Sequence, residues 1–148
     1  MKPAIKRPPI VNLTQSGLEQ AQHKIELLTK ERAEVLVRLQ AAREMGDLSE
    51  NGAYKAARWE LGGIDRELRR LNYLVTYAKV IESKKYKLEF NGKPVEYTLV
   101  SKHESNPAKG LISYESPLGQ LLKTARPGDT VTLERDNQKF IYLVKAIQ

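Results

Sequence analysis

Apolar residues along the first half of the chain recur at steps of three and four positions. The first segment places them at Leu18, Ala21, Ile25, Leu28, Val35, Leu39 and Ala42. Arg32 stands at the one position of that series that is not apolar. The second segment continues the series at Tyr54, Ala57, Leu61, Ile64, Leu68, Leu71, Val75 and Ala78. Such spacing is typical of the apolar seam between paired helices, so the sequence predicts two long amphipathic helices.

The two segments have the register of an antiparallel pair. Facing residues have numbers with a constant sum from Leu18 with Ala78 to Ala42 with Tyr54, which places the turn at Leu48. At 1.5 Å per residue, the stretch from Leu18 to Ala42 alone is roughly 36 Å long. The stretch "EMGDLSEN" therefore lies at the far tip of a helical hairpin.

The predicted helix ends rest on local signals. Thr14 can cap the first helix, and Gly46 can supply the left-handed conformation that ends it. Asp47 and Glu50 fit a capping box that opens the second helix. Gly62-Gly63 interrupts that helix at a cost of about 1 kcal/mol per glycine, and indicates either close packing or flexibility.

After Lys79 the pattern changes to the alternation of strands. "KYKLEF" and "VEYTLVS" flank an Asn91-Gly92 turn, and "DTVTLER" and "FIYLVKAI" are joined across Asp136-Asn137. "LISYES" predicts a further strand, and residues 117–123 a short helix with proline in its first turn. We expect an α+β protein: an extension at 1–13, an antiparallel coiled-coil hairpin at 14–79, and an antiparallel sheet domain with one short helix at 84–148.

Composition narrows the function classes. The chain has 148 residues, 41% of them hydrophobic, and no cysteine, which excludes disulfides and thiolate metal sites. Its 25 Lys and Arg against 18 Asp and Glu give a charge of +7, which favours an acidic partner such as nucleic acid. The sequence shows neither a signal peptide nor a run of apolar residues long enough to span a membrane, and we expect a cytoplasmic protein.

Asp47 and Glu50 allow two interpretations. As a capping box they satisfy amides of the second helix and do nothing else. As hard oxygen ligands within one turn they can share a magnesium ion whose other ligands come from water and a partner, and can position a water for attack on a phosphodiester. Spacing alone leaves both open.

Three stretches together resemble the bacterial Gre family of transcription elongation factors, of the GreA and GreB type. They are "LTQSGLEQAQHKIELL", "AAREMGDLSENGAYKAAR" and "LISYESPLGQLLKTARPGDTVTL", and the resemblance covers residues 14–148. It implies that the hairpin enters the secondary channel of RNA polymerase and that an FKBP-like C-terminal domain docks at the channel rim. Family members often have a further acidic residue where this chain has Ala53.

The resemblance implies the following roles. Asp47 and Glu50 help the polymerase hold magnesium and water so that the backtracked RNA is cut near its 3′ end. The protein is then a cofactor of RNA polymerase core and not itself an enzyme. It is expected to be a monomer with no tightly bound cofactor and no membrane partner. The alternatives are a regulator that occupies the channel without cleavage, which Ala53 motivates, and a coiled-coil adaptor.

Other residues have weaker signals. Arg43, Lys55 and Arg58 flank the tip and can contact RNA phosphates, or simply keep the hairpin soluble. Ser116 and Pro117 fall in the segment that resembles the polymerase-docking loop, although capping of a helix explains them equally well. Tyr54 is expected to pack in the seam, and Trp59 to cover apolar surface. Neither His23 nor His103 has the spacing of a metal ligand.

Overall fold

The structure, a computed structural model, describes residue 4, residues 7–47 and residues 50–148. The chain forms two compact units. One comprises the residues up to Val11 together with Leu18–Ala78, and the other comprises Asn12–Gly17 and Lys79–Gln148. None of the helices in these described residues is long and apolar enough to cross a membrane.

The first unit consists of two long helices, α1 (Gln15–Arg43) and α2 (Gly52–Thr76). The first residues of α1, up to Gly17, are assigned to the second unit. Its buried centre is formed by Val35, Ala57 and Ile64. The partly buried side chains around that centre are Leu28, Leu39, Leu61 and Leu68. Each of these residues belongs to the predicted seam, so the helical hairpin is confirmed.

Ion pairs join the two helices beside the seam. The Arg32 Nε lies 2.6 Å from Asp65 Oδ1, which explains how a charged residue is tolerated at a seam position. Arg38 Nη2 lies 2.9 Å from Glu60 Oε1 nearer the tip. These pairs are partly exposed, so they fix the register more than they add stability.

Glu67 has two cationic partners. Lys24 Nζ of α1 and Arg70 Nη2 of α2 lie 2.9 and 2.7 Å from its Oε1. Hydrogen bonds from Arg70 and then Lys24 lower the pKa of Glu67 from 4.5 to about 2. The carboxylate is therefore stabilised in its charged form.

Gly62 and Gly63 lie within α2 without close neighbours. A Cβ added at either position would find only the Arg66 guanidinium, at 3.5 and 3.8 Å. These are ordinary van der Waals distances, so close helix packing does not account for the two glycines.

The second unit is built on a five-stranded sheet. Its strands are β3 (Lys84–Phe90), β4 (Lys93–Val100), β5 (Leu111–Ser113), β6 (Thr130–Arg135) and β7 (Gln138–Ile147), and their order in the sheet is β5-β4-β3-β7-β6. All pairs are antiparallel except β4 with β5, which is parallel. The strand pairs β3-β4 and β6-β7 confirm the two predicted β-hairpins, with positive φ at Asn91, Gly92, Asp136 and Asn137.

One face of this sheet carries the larger core. Tyr86, Leu88, Leu99 and Val144 of the strands are buried with Leu122 of α3 (Pro117–Lys123). A 3₁₀ helix at Pro107–Lys109 precedes β5. The α+β fold class is confirmed, including the predicted bounds of α3.

The alternation of residues did not predict a second, two-stranded sheet. It consists of β1 (Val11–Thr14) and β2 (Ala78–Ile81). Thr14 at the end of β1 also caps α1, because its Oγ1 accepts a hydrogen bond of 3.1 Å from Gly17 N. The carboxylate of Glu104 accepts hydrogen bonds from Thr14 N and from Ser101 Oγ, at 2.9 and 2.8 Å. The Thr14 cap predicted from the sequence is confirmed.

Candidate functional site at the hairpin tip

The first side of the tip is the end of α1. The helix ends at Arg43, and Met45 N donates a 3.2 Å hydrogen bond back to the Ala42 carbonyl. Gly46 follows with a φ of +116°, a value that favours glycine. Asp47 comes next, exposed and outside the helix.

The second side is the start of α2, and its cap differs from the prediction. Asn51 is the N-cap residue: its Oδ1 accepts a 3.0 Å hydrogen bond from Tyr54 N. Its Nδ2 donates a 2.7 Å hydrogen bond to the Ala42 carbonyl of α1. The capping box of Asp47 and Glu50 is therefore wrong. The physical reason is that Asn caps as well as Asp and also supplies a donor that a carboxylate lacks.

The sequence contained a signal for this cap. Asn51 immediately precedes Gly52 and stands three residues before Tyr54, the first seam residue of α2. The Asp-x-x-Glu spacing matches the capping-box motif, but it places the N-cap at Asp47, four residues before the observed N-cap Asn51. Asp47 and Asn51 are both good N-cap residues, and what distinguishes Asn51 is its hydrogen bond to the Ala42 carbonyl across the turn.

Asp47 and Glu50 are consequently not used to begin α2. Both are exposed, and they stand on either side of residues 48 and 49. The predicted pivot, Leu48, lies outside the described residues. Within the described part of the chain no group of three or more His, Asp or Glu side chains could hold a metal ion. Two carboxylates suit a magnesium ion that takes its remaining oxygens from water and a partner.

Cationic side chains surround the tip. The guanidinium carbon of Arg43 lies 5.9 Å from the centre of the Tyr54 ring, within the range of a cation–π contact. Tyr54 is half-buried, as its seam position predicts, and Lys55 and Arg58 are exposed. Arg43, Lys55 and Arg58 are thus all at the surface, with Arg43 oriented by an aromatic ring.

On α2 the acidic side chains are half-buried and the basic side chains are exposed. Its acidic residues, Glu60, Asp65 and Glu67, are half-buried and ion-paired with α1. Its exposed charged residues are all basic: Lys55, Arg58, Arg66, Arg69 and Arg70. The outer surface of α2 is therefore positive along most of its length.

Trp59 lies on this surface, and its side chain is 70% exposed. The interpretation that Trp59 covers apolar surface is therefore wrong. An exposed position on the outer side of a two-helix hairpin has no neighbouring layer to cover.

Ser116 and Pro117 begin α3 in the other unit. Ser116 Oγ accepts a 3.0 Å hydrogen bond from Gly119 N and donates one of 2.7 Å to the Ser113 carbonyl. This confirms the helix-capping interpretation for Ser116. Pro117 is exposed in the first turn. A docking role for the two residues stays a prediction.

Both parts of the chain match family models of transcription elongation factors. The model described as "Transcription elongation factor, N-terminal" matches residues 11–80. The model described as "Transcription elongation factor, GreA/GreB, C-term" matches residues 78–148. The class of protein is thereby defined across both units.

Individual relatives agree with the models. The transcription elongation factor GreA of a Nitratiruptor species is 38% identical, with 82% of this chain and 83% of the relative covered. The GreA of Lachnoclostridium phytofermentans is 34% identical, with 92% and 94% covered. The crystal structure of GreA factor homolog 1 (Gfh1) of Thermus thermophilus aligns over 95% of this chain and 99% of that one, at 25% identity and a TM-score of 0.46. The chain belongs to the GreA/GreB family of transcription elongation factors.

Proposed function

We propose that this protein binds RNA polymerase through the secondary channel and stimulates cleavage of backtracked RNA. The proposal rests on the position of the two carboxylates at the hairpin tip. Asp47 and Glu50 are exposed outside both helices, and Asn51 forms the N-cap of α2. Because neither carboxylate forms that cap, a partner's site can engage both without disturbing the start of the helix.

Asp47 and Glu50 would help hold a magnesium ion shared with the polymerase active centre. When bound there, that ion would lower the pKa of a coordinated water and stabilise charge on the scissile phosphate. The two side chains contribute negative oxygen atoms and accept hydrogen bonds from water, which orients the attacking group. The nuclease centre belongs to the polymerase, and this chain acts as its cofactor.

The exposed cations assist by contact with RNA phosphates. Two carboxylates at the tip repel an approaching RNA strand, and Arg43, Lys55 and Arg58 offset that repulsion. Arg43 is held by the Tyr54 ring, so it loses less side-chain entropy on binding. These three residues are proposed to contact the 3′-terminal segment of the nascent RNA.

The second unit is proposed to dock on the outer rim of the channel. Ser116 and Pro117 form its docking segment, with Ser116 held by its two hydrogen bonds and Pro117 exposed beside it. A rigid, pre-ordered segment costs little entropy on binding. The active form is proposed to be a monomer, because one hairpin enters one channel.

The proposal is tested with arrested elongation complexes that carry RNA labelled at its 5′ end. Purified protein is titrated to saturation, and the RNA length is followed with time. The expected result is a shortened RNA that can be extended again when nucleotides are added. Binding to the polymerase without any shortening would contradict the proposal.

Binding without shortening of the RNA would favour a regulator that occupies the channel without cleavage. Ala53 motivates this candidate, since it is exposed in the first turn of α2 where relatives often carry an acidic residue. Competition with an active cleavage factor, without cleavage of its own, would identify such a regulator. Failure to bind core polymerase at all would leave the coiled-coil adaptor as the remaining candidate function.

A further inference from the structure

We infer that Asn51 is a positioning residue, which fixes Asp47 and Glu50 by tying the end of α1 to the start of α2. This inference rests on the proposed function. Its basis is one side chain with two hydrogen bonds, to Tyr54 N of α2 and to the Ala42 carbonyl of α1. The bond to Ala42 closes a loop that contains both carboxylates.

Apolar packing does not hold the described residues of this loop. Of the described residues between 43 and 53, none is buried, and Met45 is 78% exposed. The buried residues nearest to it along the chain are Ala42 and Ala57, one in each helix. Two polar contacts of the described tip residues join the helices: the hydrogen bond from Asn51 to Ala42, and the contact of Arg43 with the Tyr54 ring.

The side-chain amide suits both bonds. The Ala42 carbonyl lies in the last turn of α1, where carbonyls have no partner within the helix. It accepts one hydrogen bond from Met45 N and a second from Asn51 Nδ2. Asp can replace the Oδ1 acceptor at the N-cap but has no donor for the carbonyl, and Gly is tolerated at an N-cap and has no side-chain donor at all.

Groups that act on a reacting phosphate must be held within about 0.5 Å of the productive geometry. A displacement of about 1 Å can cost about a hundredfold in rate. Loss of the tie should therefore weaken cleavage although Asp47 and Glu50 are intact. Affinity for polymerase should change little, because neither the docking segment nor the helices are altered.

The test compares Asn51→Gly and Asn51→Asp with wild type, and Gln40→Ser serves as the matched control. Gln40 also carries an amide and is exposed near the end of α1, but its side chain takes no part in the tie. Asp and Gly are both tolerated at an N-cap, so helix content should match wild type, and the free energy of unfolding should fall only by about 1 kcal/mol, the scale of the lost hydrogen bond.

The first readout is the cleavage of arrested complexes. At saturation, Asn51→Gly and Asn51→Asp should each lower the rate by about tenfold or more. The concentration for half-maximal effect should stay within about twofold, and the magnesium concentration needed for half-maximal cleavage should rise. Gln40→Ser should behave as wild type. Full cleavage by both Asn51 variants would overturn the inference and leave Asn51 as a cap only.

The second readout does not depend on polymerase. Trypsin cuts after Arg43 and Lys55, on the two sides of the tip, and cutting requires local opening. Loss of the tie should speed these cuts by about fivefold, the scale of one net hydrogen bond. Unchanged cutting in both Asn51 variants would overturn the tie itself. If wild type fails to stimulate cleavage while the variants are cut faster, then the proposed function fails and the tie stands.

Discussion

The shaft and the tip of the hairpin are held together by different physics. The shaft is the cluster of Val35, Ala57 and Ile64 with its surrounding leucines, where Val35 is fully buried. The tip comprises residues 42–54, and its described residues between 43 and 53 are exposed or half-buried. Hydrophobic burial stabilises the shaft, whereas the contacts between the described residues of the tip are polar, among them the two hydrogen bonds of Asn51.

This contrast separates stability from function. A shaft built on a repeated apolar seam is stable without any one charged residue, and it carries the tip far from the opposite end of the hairpin. A tip built on a few polar contacts leaves its carboxylates facing solvent. Substitutions in the shaft should change folding, and substitutions of the two tip carboxylates should change activity at nearly constant stability.

The largest effect on stability is expected at the centre of the shaft. Val35→Ala should lower the free energy of unfolding by about 2 kcal/mol, since it removes two buried methyl groups and leaves a small cavity. Thermal and urea unfolding, followed by the helical circular dichroism signal, measure this change. The control is Val37→Ala, at a side chain that is 70% exposed, and it should change stability by less than about 0.5 kcal/mol. Equal effects at both positions would show that the seam is misplaced.

The same glycine substitution should have opposite signs in the two regions. Gly62→Ala in the shaft should raise stability by about 1 kcal/mol, because the new Cβ has room and helix propensity improves. Gly46→Ala in the tip should lower it by about 1 kcal/mol, because a φ of +116° is strained for alanine. Denaturant midpoints of the two variants decide this. A loss of stability in Gly62→Ala would indicate a packing constraint that the structure does not contain.

A smaller effect, dependent on pH, is expected at Glu67. Its pKa is lowered in the fold to about 2, so the charged form stabilises the hairpin above the unfolded pKa near 4.5. That contribution is lost as the pH falls from about 4.5 towards about 2. Glu67→Gln should therefore be less stable than wild type at neutral pH, by about 0.5 kcal/mol.

Thermal unfolding of both proteins at neutral pH and near pH 2 measures this difference. It should shrink towards zero at the acidic end. Glu26→Gln, at an exposed site of α1, is the control and should show a much smaller difference. A gap for Glu67→Gln that persists at acid pH would mean that the ion pairs with Lys24 and Arg70 are not its cause.

The shaft could be predicted from the sequence and the start of α2 could not. Residues such as Val35 and Ile64 recur at a period that only a helix satisfies, so many positions agree on one answer. The N-cap is decided by a single residue, and Asp47 and Asn51 are chemically almost equivalent there. The hydrogen bond between Asn51 and Ala42 settles the choice, and it joins residues nine positions apart across the turn.

In the sheet domain, too, features marked by local sequence could be predicted, and a pairing between distant segments could not. Asn91-Gly92 and Asp136-Asn137 mark their turns locally, and they were predicted together with α3. The pairing of β1 with β2 joins segments far apart in sequence, and four-residue strands have little periodicity to detect. Trp59 was misjudged for a related reason, because its exposure depends on whether another layer covers α2.

The most direct test of the central claim is transcript cleavage by Asp47→Asn, with Glu50→Gln as its companion. Each change removes a charge and keeps the side-chain size, and neither residue caps α2, so thermal unfolding should match wild type. At saturating protein, both variants should bind arrested polymerase normally and lower the cleavage rate by about a hundredfold or more. Full cleavage by both variants would contradict a role for these carboxylates in the shared site.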